Sequence, residues 1–177
     1  CGSDVSIRAL PDTARGTLCR PSVSPDGRTI SLPALLRHYP TPEENLRLYT
    51  VMTAHGGGHL EFGTFRLEVG KLRSTVAAAQ ARYRPGVPDG DADAMASLDG
   101  LFALYPQPAL IRDLWTLLED ARVESHLNRE YPGLAEDLAK AAREAVRTRS
   151  LSHGMTVREM VVDALLVLAV MLLDLNL

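Results

Sequence analysis

The segment His55-Gly56-Gly57-Gly58-His59 constrains this chain more than any other stretch. It lies inside a helical pattern that opens at Thr41-Pro42-Glu43-Glu44 and runs through Leu46, Tyr49, Thr50 and Thr53 to Leu60 and Phe62. Thr41 suits the capping position, Pro42 the first helical position, and Glu44 completes a reciprocal capping box. Three consecutive glycines cost a helix about 3 kcal/mol relative to alanine, at ~1 kcal/mol each. Close packing, or a ligand held by the flanking histidines, must compensate for that, or the segment is a loop. Histidines four residues apart on a helix share one face, so both imidazoles can approach a single metal ion.

Around this segment the pattern is mostly helical. Upstream, Val5 to Leu10 alternates as a half-buried strand would. Thr17 to Val23 and Arg28 to Leu32 flank the turn signal Ser24-Pro25-Asp26-Gly27, which predicts a β-hairpin closed by Pro33. Downstream, Leu72 to Tyr83 reads as a helix ended by the Pro/Gly-rich stretch Arg84 to Gly90, and Asp91 to Leu104 as a short one. Pro106 and Pro108 open a longer helix through Ile111, Leu114, Trp115, Leu118, Val123 and Leu127 to Tyr131, before the break at Pro132-Gly133. Trp115 reads as its core anchor. Leu134 to Arg149 is amphipathic, with Arg143, Arg147 and Arg149 favourably placed near its C-terminal end. Thr156 and Glu159 form the start signal of a last helix, and the apolar run Met160 to Leu173 reads as buried and too short to span a bilayer. With aromatics at only 5%, the core must rest on Leu, Val and Ala. The expectation is a mainly α fold: an N-terminal β-hairpin segment, 1–40, and a helical domain, 41–177, forming one compact unit.

Composition excludes some classes of function. Nineteen basic against 22 acidic residues give a formal charge of -3, so no whole-chain basic field invites nucleic acid. Arg82, Arg84, Arg143, Arg147 and Arg149 read as solvated helix surface. The two cysteines, Cys1 and Cys19, make neither a disulfide framework nor a CxxC metal pair, which points to a reducing, cytoplasmic compartment. The Cys1 start and the Leu177 end read as an excerpt of a longer protein, the alternative for Cys1 being a mature bacterial lipoprotein.

A third metal ligand would come from Leu117 to Glu124, which supplies Glu119, Asp120 and Glu124. Acids set among Leu114, Trp115, Leu118 and Val123 are expensive to bury without a cation, whether a metal ion or Arg122. The plainer reading of Glu119, Asp120 and Arg122 is a surface ion-pair ladder of little energetic weight. His-Gly-Gly-Gly also occurs as an esterase oxyanion loop, but that needs a Gly-x-Ser-x-Gly elbow that the sequence lacks. Gly70-Lys71 lacks the spacing of a phosphate loop. His38, His126 and His153 read as solvent-facing.

Taken together, HGGGHLEFGTF at 55–65 and LLEDARVESHLNREYPGL at 117–134 resemble the N-terminal metallopeptidase-like region of NorD/CobT-type proteins, which carry a von Willebrand A domain downstream. The resemblance covers roughly residues 40 to 135. It implies a helical zincin/gluzincin-like domain, Zn²⁺ as cofactor, and His55, His59 and Glu119 as ligands, with Asp120 and Glu124 as the alternatives to Glu119. It also implies a peptide or protein substrate; the charge balance and the short apolar run in turn give the expectation of no nucleic acid and no membrane span. The zinc-peptidase pattern is H-E-x-x-H, whose Glu is the general base. Here Gly56 stands at that position, and loss of a general base typically costs about 10²- to 10⁴-fold in rate. The expectation is therefore a zinc-binding, catalytically impaired domain; Glu at position 56 would make it a metal-dependent peptide hydrolase. Proteins of this type work beside MoxR-type AAA+ ATPases in metalloenzyme activation, so the resemblance also implies an interaction module with an AAA+ partner.

Overall fold

The computed structural model describes residues 5–10, 22–24, 27–66, 68, 71–85, 97–148, 156, 159, 161–165 and 167. Its elements are strands β1 (Ser6–Leu10), β2 (Ser22–Val23) and β3 (Thr29–Pro33), then helices α1 (Pro42–Glu61), α2 (Arg73–Tyr83), α3 (Leu98–Ala103), α4 (Pro108–Glu130) and α5 (Ala135–Thr148). The protein is mainly helical with a small N-terminal sheet.

The chain divides into two compact units, Cys1–Phe65 with Glu119–Leu177, and Arg66–Leu118. This differs from the expected division at residue 40, because the sheet shares a core with α1. Strand β3 is central: β2 pairs with it antiparallel, as the hairpin reading requires, and β1 pairs with it parallel through Ser6↔Thr29 to Leu10↔Pro33. The turn closes through the Gly27 N–H, which donates to Ser24 O at 2.8 Å; Pro25 and Asp26 lie outside the described residues, as do 11–21. Alternation along β3 buries Ile30 and Leu32 against Leu48 and Met52 of α1. Strand β1, expected to be half-buried, is almost wholly exposed.

Helix α1 lies between the sheet and two helices. On its other side Val51 packs with Val123 and Leu127 of α4 and Leu138 of α5. The face it buries is Leu48, Val51, Met52, Gly56 and Gly58, whereas Leu46 is exposed. Its start follows the sequence signal: the Thr41 hydroxyl donates to Glu44 Oε2 at 2.9 Å and accepts from the Glu44 N–H at 3.3 Å. The Asn45 side chain ties the preceding loop down, accepting from the N–H groups of His38 and Tyr39 and donating to the carbonyls of Tyr39 and Thr41. Lys140 and Asp137 of α5 pair with Glu44 and Arg47. At the other end, Phe62 N–H donates to Gly58 O, and Gly63 turns the chain with a left-handed backbone (φ 81°) that a side chain would strain. That turn brings Thr64 back toward His59.

In the second unit, Val76 and Ala79 of α2 pack with Leu101 and Leu104 beside Leu72, Leu98 and Tyr105. Trp115 is half-buried with its ring centroid 6.2 Å from that of Phe102, and Leu118 is exposed rather than inward. Only Leu98–Ala103 of the expected helix 91–104 falls within the described residues, capped by the Ser97 hydroxyl. The start of the last helix is as expected, with Glu159 Oε2 accepting from Thr156 N–H at 2.7 Å. Its described residues 161–165 and 167 are helical, but none is buried, contrary to expectation. Among the described residues, no helix is long and apolar enough to cross a membrane.

Candidate metal centre

Two of the three glycines, Gly56 and Gly58, are explained by what approaches them. A Cβ at position 56 would lie 2.8 Å from Ile30 Cγ2, and one at position 58 would lie 2.7 Å from Val123 Cγ1. Glycine at 56 thus lets β3 close on α1, and glycine at 58 lets α4 close on the opposite side. A Cβ at 57 would meet nothing within 4 Å. The close approach of α4 presents its acids to the imidazoles that flank the glycines.

The acid that meets both histidines is Asp120. Its Oδ1 lies 3.3 Å from His59 Nε2 and 3.6 Å from His55 Nε2, and the two Nε2 atoms are 3.1 Å apart. His55, His59 and Asp120 form a group able to hold a metal ion. A tetrahedral ion with bonds of about 2.0–2.1 Å needs ligand atoms about 3.3–3.4 Å apart. The three observed separations bracket that value, so the spacing of the donor atoms matches that of such an ion's ligands.

Glu119, expected as the third ligand, faces elsewhere. Arg122 grips it with Nε on Oε2 at 2.8 Å and Nη2 on Oε1 at 2.6 Å, and Thr64 Oγ1 donates to its Oε1 at 2.6 Å. The physical reason is helical phase. Val123 and Leu127 are the buried apolar residues of this part of α4, and residues three and seven positions before Leu127's face, including Asp120 and Glu124, turn inward with them. Arg122 foremost, and then Thr64, hold the Glu119 carboxyl below the usual carboxylate range, against the opposing effect of partial burial. The plain ion-pair reading of Glu119 and Arg122 is thus correct for that pair but not for Asp120, which is buried.

Both histidines are also held on their far edges. His55 Nδ1 lies 3.4 Å from Glu124 Oε1, and His59 Nδ1 lies 2.9 Å from Thr64 Oγ1. Metal-binding histidines commonly show this arrangement, with one ring nitrogen facing the ion and the other anchored by a carboxylate or its relay. The anchoring roles of Glu124, Glu119 and Thr64 were not read from the sequence. Which acids of α4 turn inward depends on the rotation of that helix, which the sequence does not fix, and Thr64 carries no sequence signal at all.

Burial disfavours charge on the His55 ring, but the Asp120 and Glu124 carboxylates outweigh it and raise its pKa from 6.5 to about 9. At neutral pH a proton therefore occupies His55 in the metal-free protein. Since a metal requires the bare nitrogen, metal uptake at pH 7 is expected to release about one proton, and apparent affinity should rise with pH toward 9. Calorimetric titration in buffers of different ionisation enthalpy measures that proton; a buffer-independent heat would contradict it. The folded-state value lies above the unfolded one. In the metal-free protein this group's stabilisation is therefore complete below pH 6.5 and fades as pH rises through about 9.

The other histidines differ in part from expectation. His38 is half-buried, with Nε2 3.4 Å from Glu144 Oε1. His126 stacks on Phe62 with centroids 4.7 Å apart and contacts Arg129. His153 lies outside the described residues. Arg82, Arg84, Arg143 and Arg147 are exposed, and Glu61 points to solvent, where it accepts from the Tyr131 hydroxyl. Comparison with protein-family models, curated proteins and solved structures returns no match. The functional reading therefore rests on the geometry of the site.

Proposed function

We propose that this chain is a zinc-binding, metallopeptidase-like domain in which the metal serves structure or binding and not hydrolysis. The observation that carries the reading is the convergence of His55 Nε2, His59 Nε2 and Asp120 Oδ1 at tetrahedral-edge distances. Two imidazoles and one carboxylate are a donor set suited to zinc, and three protein ligands leave a fourth position for an exogenous group. When bound, the ion would supply a Lewis-acidic centre and a link between α1 and α4. The third donor is an aspartate, so the gluzincin expectation does not carry over at that residue.

Hydrolysis is disfavoured because the neighbouring glutamates are engaged elsewhere. Position 56 carries no acid and faces Ile30. Glu124 sits at the Nδ1 edge of His55, away from the converging atoms, and Glu119 is bonded to Arg122 and Thr64.

Purified protein exposed to zinc and then desalted is expected to hold about one ion per chain. Free zinc at 1,000 times the dissociation constant should stabilise the fold by about 4 kcal/mol. The zinc-loaded protein should cleave casein no faster than a chelator-treated sample. A chain that takes up no zinc, and whose thermal transition ignores chelators, would remove the reading.

A further inference from the structure

We infer that the Thr64 hydroxyl, backed by Glu119 and Arg122, is the positioning device that aims the bare Nε2 of His59 at the metal site. The inference rests on the zinc reading above and assigns Thr64 a role on which the proposed metal affinity depends. A hydroxyl has one proton to give. Thr64 gives it to Glu119 Oε1 at 2.6 Å, a carboxylate that also accepts two N–H bonds from Arg122 and so acts purely as an acceptor. Thr64 can then only accept at its other contact, 2.9 Å from His59 Nδ1. The ring proton of neutral His59 is thereby placed on Nδ1, and the lone pair on Nε2, the atom facing Asp120 Oδ1 and His55 Nε2.

Arg122 fixes this chain of bonds to the helix it serves. Its Nη2 also donates to Phe62 O at 3.1 Å, the residue that caps α1 just beyond His59. The direction of every bond is set from the guanidinium, which can only donate, through the carboxylate, which can only accept. Without the Thr64 hydroxyl, the ring would be free to place its proton on Nε2, where it would compete with the metal.

The test compares zinc affinity, by competition with a chromophoric chelator, for wild type, Thr64→Val and Thr64→Ser. Valine keeps the shape and removes the hydroxyl; serine keeps the hydroxyl. Thr64→Val is expected to bind zinc about 10- to 100-fold more weakly, and Thr64→Ser to stay within about threefold of wild type, since its hydroxyl makes the same two bonds. The visible absorption of Co²⁺-loaded protein should change in the valine variant and return in the serine variant. Equal affinity of Thr64→Val and wild type would overturn the inference, and so would a serine variant as weak as the valine one. Wild type that binds no zinc would instead overturn the underlying metal reading. If Thr64→Val does not fold, Glu119→Ala, which removes the acceptor of the Thr64 proton, replaces it: about tenfold weaker binding supports the relay, and unchanged binding overturns it.

Discussion

Replacing Asp120 with alanine is expected to weaken zinc binding by at least about a hundredfold, beyond the 10- to 100-fold typical of losing a group that merely orients a ligand. The substitution removes one of three donor atoms and the one anion among them, next to two imidazoles at 3.3 and 3.6 Å. His59→Ala should do the same, because it removes a donor and leaves Asp120 and His55 as an incomplete pair. Glu119→Ala is expected to cost less, about tenfold, because that carboxylate reaches the site only through Thr64. Glu61→Ala, at an exposed residue bonded to Tyr131, should leave affinity unchanged. Chelator competition on the four variants gives the ranking. If Glu119→Ala proved more damaging than Asp120→Ala, the ligand assignment would be reversed.

Alanine at position 58 is expected to destabilise the protein by about 1–3 kcal/mol. The same change at position 57 should stabilise it by about 0.5–1 kcal/mol. Helix propensity favours alanine equally at both positions, so the difference reports packing alone. At 57 the new methyl enters open space, whereas at 58 it falls 2.7 Å from Val123 Cγ1, on a residue with no exposed surface. Position 56 behaves like 58, with Ile30 Cγ2 at 2.8 Å. Gly56→Glu should therefore be the most destabilising of the series, since it forces Ile30 aside and brings a carboxylate against an apolar strand. Urea denaturation of the metal-free variants measures all of these. A stabilised Gly58→Ala protein would show that α4 is not seated on the glycine.

Much of the helical framework was legible from local chemistry. The Thr41–Glu44 and Thr156–Glu159 caps form the bonds their spacing promises, and Pro108 opens α4 as its fixed backbone angle suggests. The histidine pair was legible because a four-residue interval survives any tertiary context. The choice among Glu119, Asp120 and Glu124 was not, because it depends on the rotation of α4 about its axis. Leu114 and Leu118 suggested one inward face, but Leu118 is exposed and the buried row runs through Leu117, Asp120, Val123 and Leu127. The parallel pairing of β1 with β3 was equally hidden: it joins residues more than twenty apart, and no turn signal fixes it.

Thr64 and Glu119 stand at the two points where the chain leaves one compact unit for the other and comes back, and their side chains are bonded at 2.6 Å. The bond therefore joins the two ends of the 66–118 segment within the first unit, so breaking it would free that segment's entry and exit points from each other.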